Sequence, residues 1–245
     1  MNLYLTCERD YLNGIKIYKQ LVNQIEYENT ERQVKNLENQ QKKNGSQVPQ
    51  LLQHHIEEWI AKIYFPKNMR WGSYKMKFVR PIRWIVSMWN KELIPVKLEM
   101  LEAGTKTQGH RFLSPGMIQI NDSADYKKQL KKLNVMVDFE ERRESIISQV
   151  KMLEHEFSFE VNLDSNLLTE VTNLVEWPTV ILGEFEESFL ELPDEVLVTS
   201  MAVNQRYFPV FKKIKKQKGG KGKLLPFFIT VRNGDKNNID IVRRG

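Results

Sequence analysis

A single cysteine, Cys7, excludes an intramolecular disulfide and a cysteine-based zinc site, and suits a reducing compartment. No apolar run approaches the roughly 18 residues that a membrane span requires. Glu8, Arg9 and Asp10 stand where a secretory segment would have to continue its apolar core. The expectation is a cytoplasmic protein, neither exported nor held in a membrane. Local signatures of catalysis are missing too: there is no glycine-rich phosphate loop ending in Gly-Lys-Ser/Thr, no GxGxxG after a strand, no HExxH and no GxSxG. His54, His55, His110 and His155 are not spaced as metal ligands. No internal repeat is visible.

What is present is a chain of 245 residues with 37 Lys and Arg against 31 Asp and Glu, a net charge of +6 and a pI near 9.2. At about 100–200 residues per domain this allows one large domain or two small ones. The mild cationic excess permits a polyanionic partner without requiring one.

From Asn23 to Gln50 the chain is rich in Asn, Gln, Glu and Lys, with Val34 and Leu37 isolated among them. That is too little apolar surface to offset ordering entropy, so residues 1–50 are read as a polar arm containing a solvated helix or mobile segment. The Gly45-Ser46 turn and Pro49 are expected to close it. Folded structure is predicted over 51–245. Leu51, Leu52, Ile56, Trp59, Ile60 and Ile63 recur at helical spacing. Phe78-Val79 and Ile82 to Trp89, followed by an Asn90-Lys91 turn and Leu93 to Leu98, predict a hairpin or two adjacent strands.

Ser123 is read as the cap of a helix bearing Tyr126, Leu130 and Leu133, and Val135-Met136-Val137 as a short buried strand. Asp138 and Glu141 have capping-box spacing ahead of a stripe of Ile146, Ile147, Val150, Leu153 and Phe157. Asp164 opens a helix that Trp177-Pro178 ends, Thr179 to Phe185 reads as a strand, and Pro193-Asp194 opens a helix towards Val203. Tyr207 to Phe211 and Leu225 to Val231 are strand candidates on either side of a lysine-rich run with hairpin-loop composition. Helices and mostly antiparallel strands mix without regular βαβ alternation, so the predicted class is α+β.

Glu140, Glu141 and Glu144 occupy first helical turns, where the helix dipole favours negative charge, and are read as structural. Glu176, beside Trp177-Pro178, is assigned a structural hydrogen bond. Lys67, Arg70, Lys75, Lys77, Arg80 and Arg83 are interleaved with Phe65, Trp71, Tyr74, Phe78 and Trp84. Such residues hold phosphates and stack on unpaired bases. The same alternation describes a half-buried strand with a solvated cationic face. His110 and Arg111, in the turn-rich stretch from Gly104 to Pro115, can bind an anion or form a structural turn. Gln205 and Arg206, ahead of Tyr207-Phe208-Pro209, can meet RNA or a neighbouring subunit, or serve core packing.

Taken together, FPKNMRWG at 65–72, FVRPIRWIV at 78–86 and TQGHRFL at 107–113 closely resemble the beta subunit of bacterial heterotetrameric glycyl-tRNA synthetase. LLTEVTNLVEWPTVILGEF at 167–185, LPDEVLVTSM at 192–201, NQRYFPV at 204–210 and LLPFFITVRNGD at 224–235 resemble the same family, in order, so the similarity covers about 51–245. Three departures qualify it. The family's usual start is not recognisable in residues 1–50. Ala202, Val203 and Asn204 stand where the family usually carries a Lys and, before the Gln, a His. The family's beta chain also continues for several hundred residues, through an HD-like and an anticodon-binding domain, so a fragment is expected.

The resemblance implies two alpha and two beta chains. The alpha chain would activate glycine with ATP and Mg²⁺, while the beta chain binds tRNA and supports assembly without an adenylate site. No cofactor is then expected on this chain. Part of the region also resembles the B3/4-type module of phenylalanyl-tRNA synthetase. The candidate tRNA contacts are Lys67, Arg70, Arg80, Arg83, His110, Arg111, Gln205 and Arg206, with no catalytic and no metal residues. A protein-only assembly module and an editing-type hydrolase remain as alternatives.

Overall fold

The computed structural model describes residues 2–7, 48–99, 101–213 and 222–237. Of the expected arm, residues 2–7 form a strand and 48–50 begin a helix, while 8–47 lie outside the described residues, as does most of the lysine-rich run, 214–221. Contacts divide the chain into two compact units, Met1–Lys132 and Leu133–Gly245.

In the first unit β1 (Asn2–Cys7) is followed by α1 (Val48–Lys62). Leu52, Ile56 and Ile60, spaced one turn apart, are buried, as the helical pattern predicts. Pro49 begins this helix instead of closing the preceding arm, because a first-turn residue needs no amide hydrogen. The helix packs over Phe65, Phe78, Ile82, Ile85, Ile94 and Val96. β2 (Met69–Arg70) pairs with β3 (Lys77–Phe78), and β4 (Ile82–Trp89) lies between β1 and β5 (Glu92–Leu93). The predicted turn is present: Asn90, at φ +54, joins β4 to β5 through a two-residue loop. The predicted second strand is shorter than expected, since the chain leaves β5 to pair again as β6 (Lys97–Leu98) with β7 (Leu101–Glu102).

Two glutamates fasten this unit. Glu57 of α1 accepts from the Lys97 N–H at 2.7 Å, and Glu99 accepts from the N–H groups of Lys75 and Met76 at 2.6 and 3.1 Å. β8 (Lys106–Gln108) and β9 (Met117–Gln119) form a further hairpin. α2 (Tyr126–Lys132) buries Tyr126 and Leu130 as expected. Its approach is capped by Asp122 and not by Ser123: the Asp122 carboxylate accepts from the Ala124 N–H at 3.0 Å, and one short 3₁₀ turn precedes the helix.

The second unit holds α3 (Phe139–Phe157), β10 (Phe159–Val161), α4 (Ser165–Leu174), β11 (Pro178–Glu184), α5 (Asp194–Thr199), β12 (Phe208–Lys212) and β13 (Leu224–Asn233). Asp138 and Asp164 cap α3 and α4, each accepting from two first-turn amides. The strands form one antiparallel sheet in the order β10-β12-β13-β11. Ile146 and Val150 of α3 and Leu167, Leu168 and Val171 of α4 close over Val180, Phe208, Val210 and Ile229. Phe157 does not complete the predicted stripe. It is largely exposed, one turn beyond the core, and stacks on Phe159 at 5.9 Å.

Val135–Val137 is not a strand. Its polar groups are taken otherwise: the Met136 N–H donates to the Glu176 carbonyl at 2.9 Å, while the carbonyls of Met136 and Val137 accept from Arg142 at 2.7 and 2.9 Å. Arg142 also donates through Nε to the Thr172 carbonyl at 3.3 Å, and it is buried. The class is α+β with antiparallel pairing in every named sheet, joined by one isolated parallel bridge between Val86 and Gly104.

β11 is an edge strand, and a side chain covers its open edge. Gln149 donates from Nε2 to the Pro178 carbonyl and accepts at Oε1 from the Val180 N–H, both at 3.0 Å, as a neighbouring strand would. Gln149→Leu is expected to destabilise the second unit by about 1–3 kcal/mol, because two backbone groups lose their partners. Gln149→Glu keeps only the acceptor and should recover less than half of that loss. Urea melts followed by circular dichroism check both; equal stability of all three proteins is the contrary result.

Candidate nucleic-acid interface

Between Glu58 and Glu92 the chain carries Lys62, Lys67, Arg70, Lys75, Lys77, Arg80, Arg83 and Lys91 and no acidic residue. An excess of eight on a chain of net +6 leaves the remainder slightly acidic. A second acid-free run, between Glu195 and Asp235 of the second unit, carries nine cations, seven of them in or beside the lysine-rich run, so the positive charge is held in two stretches, of which the first lies wholly within the described residues.

The β2–β3 hairpin explains how that charge is presented. Phe78 is buried and meets Phe65 edge-on at 4.8 Å. Trp71 is half-buried and donates from Nε1 to the Phe78 carbonyl at 2.9 Å. These rings turn inward, so Lys67, Arg70, Lys75 and Lys77 are all exposed, with Tyr74 exposed at the same loop. Gly72, at φ +62, allows the tight return of the loop. Cross-strand register sets Arg70 directly opposite Lys77. Like charges so paired repel, and among the described residues none of these four side chains has an ion-pair partner. An anion between them would remove that repulsion. By contrast Lys97, opposite Glu102 on β6–β7, bonds to it at 2.9 Å, which raises the lysine above its ordinary range and lowers the glutamate.

Of the remaining candidates in this unit, Arg83 is exposed on β4 and Arg80 half-buried just before it. His110 is buried. Its Nδ1 accepts from the backbone N–H groups of Phe112 and Leu113, both at 3.3 Å, and its carbonyl accepts from Ser114 at 2.9 Å. A neutral ring in that role carries its proton on Nε2. His110 thus holds the turn, and the residues it presents are Arg111 and Phe112. Phe112 is 80% exposed, with the Arg111 guanidinium 5.5 Å from its ring centre.

Gln205 and Arg206 belong to the second unit. Gln205 is exposed; Arg206 adopts φ +59 at the end of a π-helical turn and donates from Nε to Glu170 at 2.8 Å. Tyr207 is engaged within the sheet, stacked on Phe228 at 4.4 Å. Phe228 in turn covers Gly183, where no Cβ would fit without moving the ring. Among the described residues no group of three or more His, Cys, Asp or Glu side chains is arranged to hold a metal, and no helix is long and apolar enough to cross a membrane.

Residues 12–245 match the family described as "Glycyl-tRNA synthetase beta subunit". The chain belongs to that family. Among curated relatives, the glycine--tRNA ligase beta subunit of Halalkalibacterium halodurans is 42% identical over 201 residues, covering 82% of this chain and 28% of that protein. That of Oceanobacillus iheyensis is 44% identical over 201 residues, 82% of this chain and 28% of its own. That of Listeria monocytogenes serotype 4b (strain F2365) is 42% identical over 190 residues, 78% and 26% of the two chains. The chain thus spans little more than a quarter of the length of these relatives.

Two features of the candidate site stand out only in the structure. Phe112 lies within the TQGHRFL motif, although an aromatic after His-Arg in a turn is a signal of its own. The acid-free run was visible by counting charge sign in a sliding window.

Proposed function

We propose that this chain serves in the cytoplasm as a non-catalytic, tRNA-handling and assembly part of a glycine–tRNA ligase. In this reading an alpha chain binds ATP and Mg²⁺ and charges the tRNA, while this chain positions it. The observation that carries the proposal is the hairpin: four exposed cations without acidic partners, two of them opposed across the strands. Such an arrangement neutralises phosphates at positions fixed by the backbone, and so sets register instead of reading bases. Arg83 and Arg80 extend the cationic surface along the start of β4. Arg111 and Phe112, on the turn fixed by His110, add a cation and a ring on which an unpaired base can stack. Gln205 and Arg206 are candidates for a contact by the second unit.

The test is binding to glycine tRNA across a salt series, comparing wild type with Lys67→Ala/Arg70→Ala/Lys77→Ala. The triple variant should bind about 10–100-fold more weakly at moderate salt, and the slope of log affinity against log salt should become shallower by about 2–3. Unchanged affinity and slope in a folded variant would transfer the chain's role to subunit assembly alone.

A further inference from the structure

The chain between β8 and β9 turns through residues 109–116, and the centre of that turn is locked. His110 supplies the lock: its buried ring accepts from the Phe112 and Leu113 N–H groups through Nδ1, and its carbonyl accepts from the Ser114 N–H. Consecutive amides are thereby held by one residue, as at the start of a helix. Gly116, at φ +113, then returns the chain to β9.

What the lock displays is a ring. Phe112 is the most open of the large apolar side chains among the described residues. The Arg111 guanidinium lies 5.5 Å from its centre and the buried His110 ring 6.3 Å away, so the ring is flanked yet uncovered. Among the described residues Arg111 has no ion-pair partner, and no acidic residue stands between Glu102 and Asp122. A fixed ring beside an unneutralised cation offers one ligand two different contacts, a face for a flat π-system and a charge for an anion close to it. Size separates the ligand classes. One aromatic side chain covers roughly 150–250 Å², whereas a stable protein contact takes about 800 Å² from each partner. A nucleobase needs a single ring.

We infer that the turn is a subsite for one unpaired nucleotide of an RNA strand, its base stacked on Phe112 and its phosphate on Arg111, with His110 as the positioning residue that fixes both. The inference deepens the tRNA half of the function proposed above and rests on it. A paired base has its faces covered by its neighbours, so the subsite selects single-stranded segments, while the cations of the β2–β3 hairpin hold phosphates of either kind. Every base has a π-face, so the subsite tolerates sequence and favours purines only through their stronger stacking. His110 then acts through its neighbours and does not itself touch RNA.

The experiment measures binding of the whole chain to end-labelled hexaadenylate and hexauridylate by fluorescence anisotropy over a salt series, with a blunt RNA duplex and adenosine monophosphate as comparators. Circular dichroism confirms that each variant folds. Phe112→Ser should bind both hexamers about tenfold more weakly with the salt slope unchanged, and Phe112→Trp should restore the loss. Arg111→Ala should weaken binding and make the slope shallower by about 1. His110→Leu should reproduce the Phe112→Ser loss, whereas His110→Asn, whose Oδ1 can accept from the same two amides, should recover most of it. Duplex affinity should stay within about twofold of wild type in the Phe112 and His110 variants, since phosphate contacts carry it. No hexamer binding by the wild type, equal losses for duplex and hexamers in Phe112→Ser, full affinity in a folded Phe112→Ser or His110→Leu, or adenosine monophosphate bound as tightly as hexaadenylate would each overturn the inference. The hairpin's triple variant on tRNA is a separate measurement: if it weakens tRNA binding while Phe112→Ser leaves the hexamers untouched, the subsite fails and the proposed function stands.

Discussion

Replacing Arg142 with alanine is expected to cost the second unit about 3–5 kcal/mol, enough to unfold a marginal domain. The buried guanidinium bonds to the carbonyls of Met136, Val137 and Thr172, and so ties the segment before α3 to the end of α4. Alanine removes the cation and leaves three carbonyl groups short of a donor. Lysine keeps the charge but offers a point donor in place of a planar fork, and should restore less than half of the lost stability. Hydrogen exchange read by mass spectrometry checks both size and place: protection should fall across Leu133–Leu174 and be retained within α1 and β4. Full protection throughout in the alanine variant would mean that the carbonyls find other donors.

The second large effect is expected in the first unit. Phe78→Ala should destabilise it by about 3–5 kcal/mol, the usual cost of removing a buried aromatic side chain. Phe78 is the inward residue of β3, in edge contact with Phe65, and its carbonyl receives the Trp71 indole. Removing the ring therefore also loosens the hairpin that presents Arg70 and Lys77, so tRNA affinity should fall together with stability. Phe78→Leu refills most of the volume and should recover most of both. If tRNA binding survives Phe78→Ala while thermal stability drops, hairpin order and tRNA binding are uncoupled.

Much of this architecture was legible because local rules and burial agree. The stripe Leu52-Ile56-Ile60, the caps Asp138 and Asp164, the Asn90-Lys91 turn and the strands around Val180, Phe208 and Ile229 each follow from period or capping chemistry visible along the chain. What the sequence could not disclose depends on contacts between distant segments. Val135–Val137 has strand composition, yet the side chain of Arg142 claims carbonyls that a sheet would have used. Gln149 looks like one polar residue among several on α3, and only the position of β11 gives it a task. Asn233 likewise accepts from the N–H groups of Glu176 and Trp177 at 2.9 and 3.0 Å, more than fifty residues away. At the candidate interface, the cations and their spacing were readable, whereas the inward turn of Phe65, Trp71 and Phe78 and the burial of His110 required the fold.

The strand order of the second unit has a consequence for how this chain is made. Of the four strands of this sheet, β13 is the last to leave the ribosome and the one that separates β11 from β12. Until residues 224–233 emerge, the two flanking strands have no common neighbour, and α3 and α4 lie over an incomplete floor. The first unit's hairpins join residues close in sequence and can form during synthesis, but the second unit must wait for its centre. A nascent chain stopped before Leu224 would expose the backbone edges of β11 and β12 together, the most adhesive surface this sheet can present.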